Sequence, residues 1–225
     1  VIDYKAATLI KDIQMRMGFP RLSKSLDAPP MKKFAEQNAE KNRYPAAVPF
    51  DKNRVILNPS LGSDTQYTNA SHIKGSFYPY ILAQDPMNEE TCYDFWRMVS
   101  DFGVTTVVML TEEHVFKEEE KYWPTTSEHH EFTSSCKTFK IELTRTETHH
   151  NAGYRLREMS YVVLDGHGRQ EGVERSLVQY VLFGWKESSP KPPNTDQLLT
   201  LIGRVLERQS SQQETGPIVL QCSAP

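Results

Sequence analysis

Residues 104–110, VTTVVML, are a short apolar run rich in β-branched side chains, and this run constrains the fold more than any other segment. Such a run suits a strand covered on both faces, because no regular polar alternation offers one face to water. Just before it, Cys92, Phe95, Trp96, Val99 and Phe102 recur at three- and four-residue steps, the spacing of one face of a helix. A weaker strand-like run, residues 80–83, precedes that helix. Strand, helix, strand in this order permits an α/β architecture with the helix packed on the sheet.

The remaining segments extend this pattern. Residues 154–164 and 176–183 read as two strands joined across Asp165-Gly166-His167-Gly168, which predicts a long antiparallel hairpin. No amphipathic helix follows those glycines, so they form a turn and not a phosphate loop. Asn194 is placed to cap a helix over residues 195–208, with Leu198, Leu201, Ile202, Val205 and Leu206 as its apolar stripe and the polar run 209–215 as its end. Gly216-Pro217 then opens a short strand, Ile218-Val219-Leu220. Upstream, residues 6–17 have helical spacing before breaks at Pro20 and Pro29-Pro30, so residues 1–33 are expected as a helical lead-in or interdomain linker and residues 34–225 as one domain.

Twenty-six Lys and Arg against 29 Asp and Glu give a formal net charge of −3, with the basic residues scattered. That distribution lacks the basic stripe with which proteins wrap nucleic acid. No apolar stretch reaches the roughly 20 residues of a membrane span, so direct membrane insertion is not expected. The start, Val1-Ile2-Asp3-Tyr4-Lys5, has no signal-peptide core and reads as part of a longer segment. Three cysteines, Cys92, Cys136 and Cys222, make no even disulfide framework and point to a reducing, intracellular setting. The pairs His129-His130 and His149-His150 lack a Cys or carboxylate at ligand spacing, so they are expected in surface loops, with no metal and no cofactor.

Cys222 stands apart, because the strand through Ile218-Val219-Leu220 delivers its thiol to the carboxyl end of a strand, where α/β sheets place their ligand sites. A thiol at such a loop, surrounded by backbone N–H groups, has a lowered pKa and a neighbouring anion site.

Four motifs between Lys41 and Ala224 resemble the protein tyrosine phosphatase family. Lys41-Asn42-Arg43-Tyr44, followed by Pro49, Asp51, Arg54 and Val55, resembles its phosphotyrosine-recognition loop, and Tyr67-Thr68-Asn69-Ala70-Ser71 its YINAS signature. Thr91, Asp94, Phe95, Trp96, Arg97, Met98 and Val99 are similar to the T-x-x-DFWRMV helix, with Val107 to Thr111 and Tyr122-Trp123-Pro124 following. Gly216-Pro217-Ile218-Val219 leading to Cys222-Ser223-Ala224 resembles the start of HCSAGxGRTG. The resemblance implies an α/β (α+β) fold, a central twisted mixed sheet flanked by helices, ending here at the phosphate-binding loop with the family's later helices missing.

It also implies roles. Cys222 takes the nucleophile position and Glu187 the general-acid position, while Tyr44, Ser223 and Ala224 take substrate-binding positions, Tyr44 as a ring that stacks on phosphotyrosine. Departures fall on the chemistry. Gln221 replaces the His before the nucleophile, Pro225 replaces a Gly and removes a cradle N–H, and the clamping Arg, six positions after the Cys, would lie past Pro225. Trp185-Lys186-Glu187 stands for W-P-D, Ala46 for an Asp or Asn, and Asp85 for the Gly of the QGP turn.

Such a pattern resembles the membrane-distal phosphatase domain of receptor-type members, which implies a degenerate, regulatory or docking domain, cytoplasmic within a plasma-membrane receptor. Its expected partners are a phosphotyrosine protein or a partner phosphatase domain. The alternatives are an active phosphatase recorded as a fragment and acting through a cysteinyl-phosphate, and a phosphotyrosine-binding adaptor without turnover. Redox sensing through Cys222 ranks below docking, since loss of the His and of an amide donor dulls the thiol. Glu118-Glu119-Glu120 is expected as a solvated turn without a role, and Cys92 and Cys136 as packing or exposed thiols.

Overall fold

The computed structural model describes residues 31–61, 65–125, 129–186, 188–189, 191–212 and 216–224. Residues 1–30, which carry most of the expected lead-in, lie outside them. The elements are α1 (Lys33–Gln37), β1 (Arg54–Ile56), β2 (Tyr67–Ile73), β3 (Tyr80–Gln84), α2 (Glu89–Asp101), β4 (Thr106–Met109), β5 (His129–Thr133), β6 (Lys137–His149), β7 (Tyr154–Asp165), β8 (Gln170–Leu182), α3 (Thr195–Ser211) and β9 (Ile218–Cys222).

Among the described residues nine strands form one sheet in the order β1-β2-β3-β9-β4-β8-β7-β6-β5. The centre is parallel: β9, formed by the last described stretch of chain, inserts between β3 and β4, and β4 runs parallel to β8. The two wings are antiparallel. This matches the mixed α/β sheet expected from the sequence. The expected hairpin of β7 and β8 is longer than its apolar runs, reaching Leu164 opposite Gln170 beside the Asp165 turn, where Asp165 accepts the backbone N–H groups of His167 and Arg169.

Helix α2 starts at a capping box. Asn88 accepts from the Thr91 N–H, and the Thr91 hydroxyl accepts in turn from the Asn88 N–H. Its face of Cys92, Phe95, Trp96 and Val99 is buried against Val107, Met109 and Val219 on one side of the sheet. Helix α3, capped by Asn194 on the Gln197 N–H, covers the other side, with Leu198, Leu201, Ile202 and Val205 against Val108, Leu110, Ile218 and Leu220. Alternation along a strand therefore sends successive β9 residues to different helices.

Gly216 is required at the entry to β9. A Cβ there would sit 2.0 Å from the Phe102 carbonyl oxygen, and the Gly216 N–H donates to Gly103 at 3.0 Å.

Three expectations need correction. Helix α3 runs past residue 208 to Ser211, and Gln209, read as part of a terminating polar run, is buried and donates to the Gly216 carbonyl. The buried amide is satisfied by a neighbouring turn, so its polarity does not end the helix. Three of the four paired histidines are in strands, His129 and His130 opening β5 and His149 closing β6, while His150 stands in the turn that follows as expected. His130 stacks on Phe132, and the His149 ring lies 4.8 Å from the Tyr154 ring at a tilt of 31°. Residues 118–120 form a 3-10 turn in which Glu120 is buried, not solvated.

Candidate functional site

The carboxyl ends of β3, β9, β4 and β8 meet at one edge of the sheet, and that edge gathers most of the motif residues. Two parts of it differ in construction.

The first part is the corner that holds residues 41–44. Lys41, 3% exposed, pairs with Asp94 at 2.5 Å and with Glu90 at 2.8 Å, and Asp94 also accepts from Arg97 at 2.8 Å. The KNRY and DFWRMV motifs are thus joined by a buried ion cluster. Asn42 accepts from the Tyr67 hydroxyl at 2.6 Å and from Asn69, which also donates to Gln84 and to the Ala47 carbonyl. Gln84 in turn accepts the Arg43 N–H at 2.7 Å and donates to the Lys41 carbonyl. Arg43 reaches the Pro86 carbonyl and Glu120, which ties the 118–120 turn to the loop. Tyr44 emerges from this platform with 41% of its surface exposed, while Ala46 beside it offers only a methyl group.

The second part is the end of β9. Cys222 is fully buried, and its side chain joins the α3-side cluster with Leu220, Leu110 and Trp185. Backbone bonds secure the strand on both flanks: Leu110 N–H to the Gln221 carbonyl at 2.9 Å and Asp85 N–H to the Cys222 carbonyl at 2.8 Å. Ser223 and Ala224 follow, partly exposed.

Gln221 points to the opposite side. Its Oε1 accepts from the Tyr122 hydroxyl at 2.6 Å, Tyr122 accepts from Gln179 Nε2 at 2.6 Å, and Gln179 Oε1 accepts from Arg157 at 2.8 Å. An arginine can only donate, so the direction of every bond in this chain is set from Arg157 inward. Arg157 lies over the Trp123 ring and, with Arg155, is paired to Glu113. Burial pushes the Tyr122 phenol far above its ordinary value, against the lowering effect of its bond to Gln179 and with a smaller push from Asp85. It is therefore a fixed hydroxyl donor to Gln221. The polarity ends on Gln221 Nε2, which is buried with no hydrogen-bond partner among the described residues.

Trp185 is fully buried and donates to the Ser189 carbonyl at 3.2 Å, Ser189 N–H closes back on Lys186, and Lys186 is exposed. Glu187, expected at the acid position, lies outside the described residues, as does Pro225. The edge thus brings together Cys222, Ser223, Ala224 and the loop of Trp185. Tyr44 stands on the platform anchored by Gln84, whose register partner in β9 is Cys222.

The sequence reading missed Gln179, Arg157, Glu113 and Glu120. A signal existed for Gln179, a polar residue inside an otherwise apolar strand run, since such a residue is buried only with partners. Cys92 is a packing thiol: burial pushes it well above its ordinary value, and its sulfur lies 3.7 Å from the Glu119 carbonyl. Among the described residues no group of three or more His, Cys, Asp and Glu is placed to hold a metal ion.

A cysteine at the carboxyl end of a central parallel strand, beside a loop platform locked by buried ion pairs, lies where α/β domains place their ligand sites. The protein-tyrosine phosphatase family matches residues 38–224, and the chain belongs to that family. It is 43% identical over 208 residues to a receptor-type tyrosine-protein phosphatase of Caenorhabditis elegans, an alignment covering 91% of this chain and 15% of that relative. It is 33% identical over 196 residues to human receptor-type tyrosine-protein phosphatase epsilon, covering 83% of this chain and 26% of the relative. Against Drosophila melanogaster tyrosine-protein phosphatase Lar the identity is 31% over 192 residues, 83% of this chain and 9% of that protein. The chain thus spans about a quarter or less of each of these relatives. Among the described residues no helix is long and apolar enough to cross a membrane.

Proposed function

We propose that this domain is a degenerate tyrosine-phosphatase domain, like the membrane-distal one of receptor-type members, that keeps the scaffold for regulation or docking on the cytoplasmic side of the membrane. The observation that carries the reading is the buried end of β9: Cys222 has no exposed surface, Gln221 stands where the family has a His, and Asp85 stands in the turn beside it.

Nucleophilic attack on a phosphoryl group needs an accessible thiolate, donors placed around the phosphate oxygens, and an acid placed on the leaving phenolate. In this site Cys222 would be the nucleophile and Glu187 the acid. The longer Glu side chain shifts the carboxyl group, and Lys186 replaces the hinge proline, so acid positioning is impaired. Ser223 and Ala224 would begin the cradle, and Tyr44 would wall the pocket of a phosphotyrosine that binds weakly without the carboxylate or amide absent at Ala46. A partner phosphatase domain is the docking partner this reading expects.

The test is phosphate release from a phosphotyrosine peptide by the full-length protein, with any companion phosphatase domain inactivated, compared with its Cys222→Ser variant. The expected result is equal, background-level release from both. Release that is lost on Cys222→Ser would establish the alternative, an active phosphatase working through a cysteinyl-phosphate.

A further inference from the structure

Away from Cys222, where the turns before and after residues 118–120 cross β6 and β7, lies a cleft of about 480 Å³. Its lining includes Glu113, His114, Lys121, Trp123, Leu143 and Arg157. That volume falls in the range of small-ligand pockets. Arg155 and Arg157, two apart on β7, leave the same face of the strand. Each guanidinium is set against a ring, Arg155 at 5.6 Å from Phe183 and Arg157 at 5.1 Å from Trp123. A planar cation held in this way is prepared to meet an oxyanion.

Glu113, on the short turn of residues 113–115, puts one oxygen on each arginine. Its Oε2 accepts from Arg155 at 2.6 Å, and its Oε1 lies 2.8 Å from Arg157 Nη2. The second approach is an ion pair without hydrogen-bond alignment, since Oε1 accepts no hydrogen bond among the described residues. Glu118 holds Lys121 and Thr125 beside it. Arg155, Arg157 and Lys121 thus meet two carboxylates and keep one positive charge in surplus. Glu112 is not part of the lining, and its carboxylate lies 3.8 Å from His114. Arg145, Glu147 and Glu158 alternate to the opposite face of the sheet.

We propose that this cleft docks an acidic peptide segment, one of whose carboxylates replaces Glu113 between Arg155 and Arg157. The fold itself shows the group that fits: a glutamate side chain carried on a short turn of peptide. A carboxylate that aligns with both guanidiniums gains the hydrogen bond that Glu113 forgoes at Arg157, while Glu113, already 24% exposed, moves into water. Arg157 also donates to Gln179, so the occupant of the cleft and the chain of bonds to Gln221 share one guanidinium. Docking here does not depend on whether Cys222 is active.

The test titrates the full-length protein by calorimetry, at fixed ionic strength, with a short capped peptide of glutamates and with its glutamine counterpart. The expected result is binding of the glutamate peptide alone. Its affinity should rise about tenfold in Glu113→Gln, which removes the resident carboxylate and keeps its shape, and fall about tenfold in Arg155→Ala. Glu112→Gln makes the same change of net charge one residue away and should alter the affinity by less than about twofold.

Equal tightening in Glu112→Gln and Glu113→Gln overturns the proposal, because the peptide then reads net charge and displaces nothing. Equal binding of the two peptides overturns it as well, as does an affinity indifferent to Arg155→Ala. So does an absence of binding in the wild type and Glu113→Gln alike. Should Arg155→Ala disturb folding, Arg155→Lys keeps the charge, loses the fork and should weaken binding in the same direction.

Discussion

The corner around Lys41 and the strand end around Cys222 lie along the same edge of the sheet but are held by different forces. At the corner, side chains hold side chains: Lys41 and Arg97 share the Asp94 carboxylate in a buried cluster, with Glu90 also pairing Lys41, and Gln84 links Arg43, Asn69 and Lys41. At the strand end, the backbone ladder does the holding, through the Gln221 and Cys222 carbonyls. A ladder is indifferent to side-chain identity, whereas a buried ion cluster fails when one member leaves. The corner therefore keeps the K-N-R-Y residues and Asp94, with Ala46 its one departure, and the strand end has room to carry Gln221 and Asp85 instead.

The largest expected effect is at the corner. Asp94→Ala leaves Lys41 and Arg97 buried without their shared acceptor and should cost about 3–5 kcal/mol, read from urea unfolding of the domain. A loss below about 1 kcal/mol would place the cluster on a par with a surface pair and break the contrast.

Next is a direct comparison of the two glutamines. Gln84→Ala strands the Arg43 N–H, an Asn69 donor and the Lys41 carbonyl, for about 2–3 kcal/mol. Gln221→Leu removes one acceptor from Tyr122 together with an amide nitrogen that lacks a partner, for about 1 kcal/mol. Equal losses would show that the strand end depends on its side chains as much as the corner does.

A subtler measurement pairs Tyr122→Phe with Gln221→Leu. Each alone leaves a buried polar group behind, so the double variant should lose less than the two single losses together, by about 0.5–1 kcal/mol. Strict additivity would remove the Tyr122 to Gln221 bond from the account.

The last check is a slope. The Tyr122 phenol is raised in the folded state, so above about pH 10 the unfolded chain loses that proton first and stability falls as pH rises, by about 1.4 kcal/mol per pH unit for one such group. Tyr122→Phe should fall less steeply than the wild type over that range. Identical slopes would mean that the hydroxyl ionises as easily folded as unfolded.

Much of this was legible in the chain. The period of Cys92, Phe95, Trp96 and Val99 marked α2 and its buried face, the β-branched run marked β4, and Asn194 marked the start of α3, since these signals are local. The motif set placed Cys222 at the end of a strand. Less was legible where burial depends on a distant partner: Glu120 looks like one of three solvated acids until Arg43 reaches it, and His129, His130 and His149 carry no mark of the strands they join.

By itself, then, the sequence determined the family, the scaffold and the position of the thiol, because hydrophobic period, capping residues and contiguous motifs are written along the chain. Only the tertiary structure decided that β9 lies between β3 and β4, that Gln221 ends a hydrogen-bonded chain begun at Arg157, and that Asp85 meets Thr111 across that strand. Those contacts join residues far apart in sequence, and the burial that makes each of them strong exists only once the sheet has closed around β9.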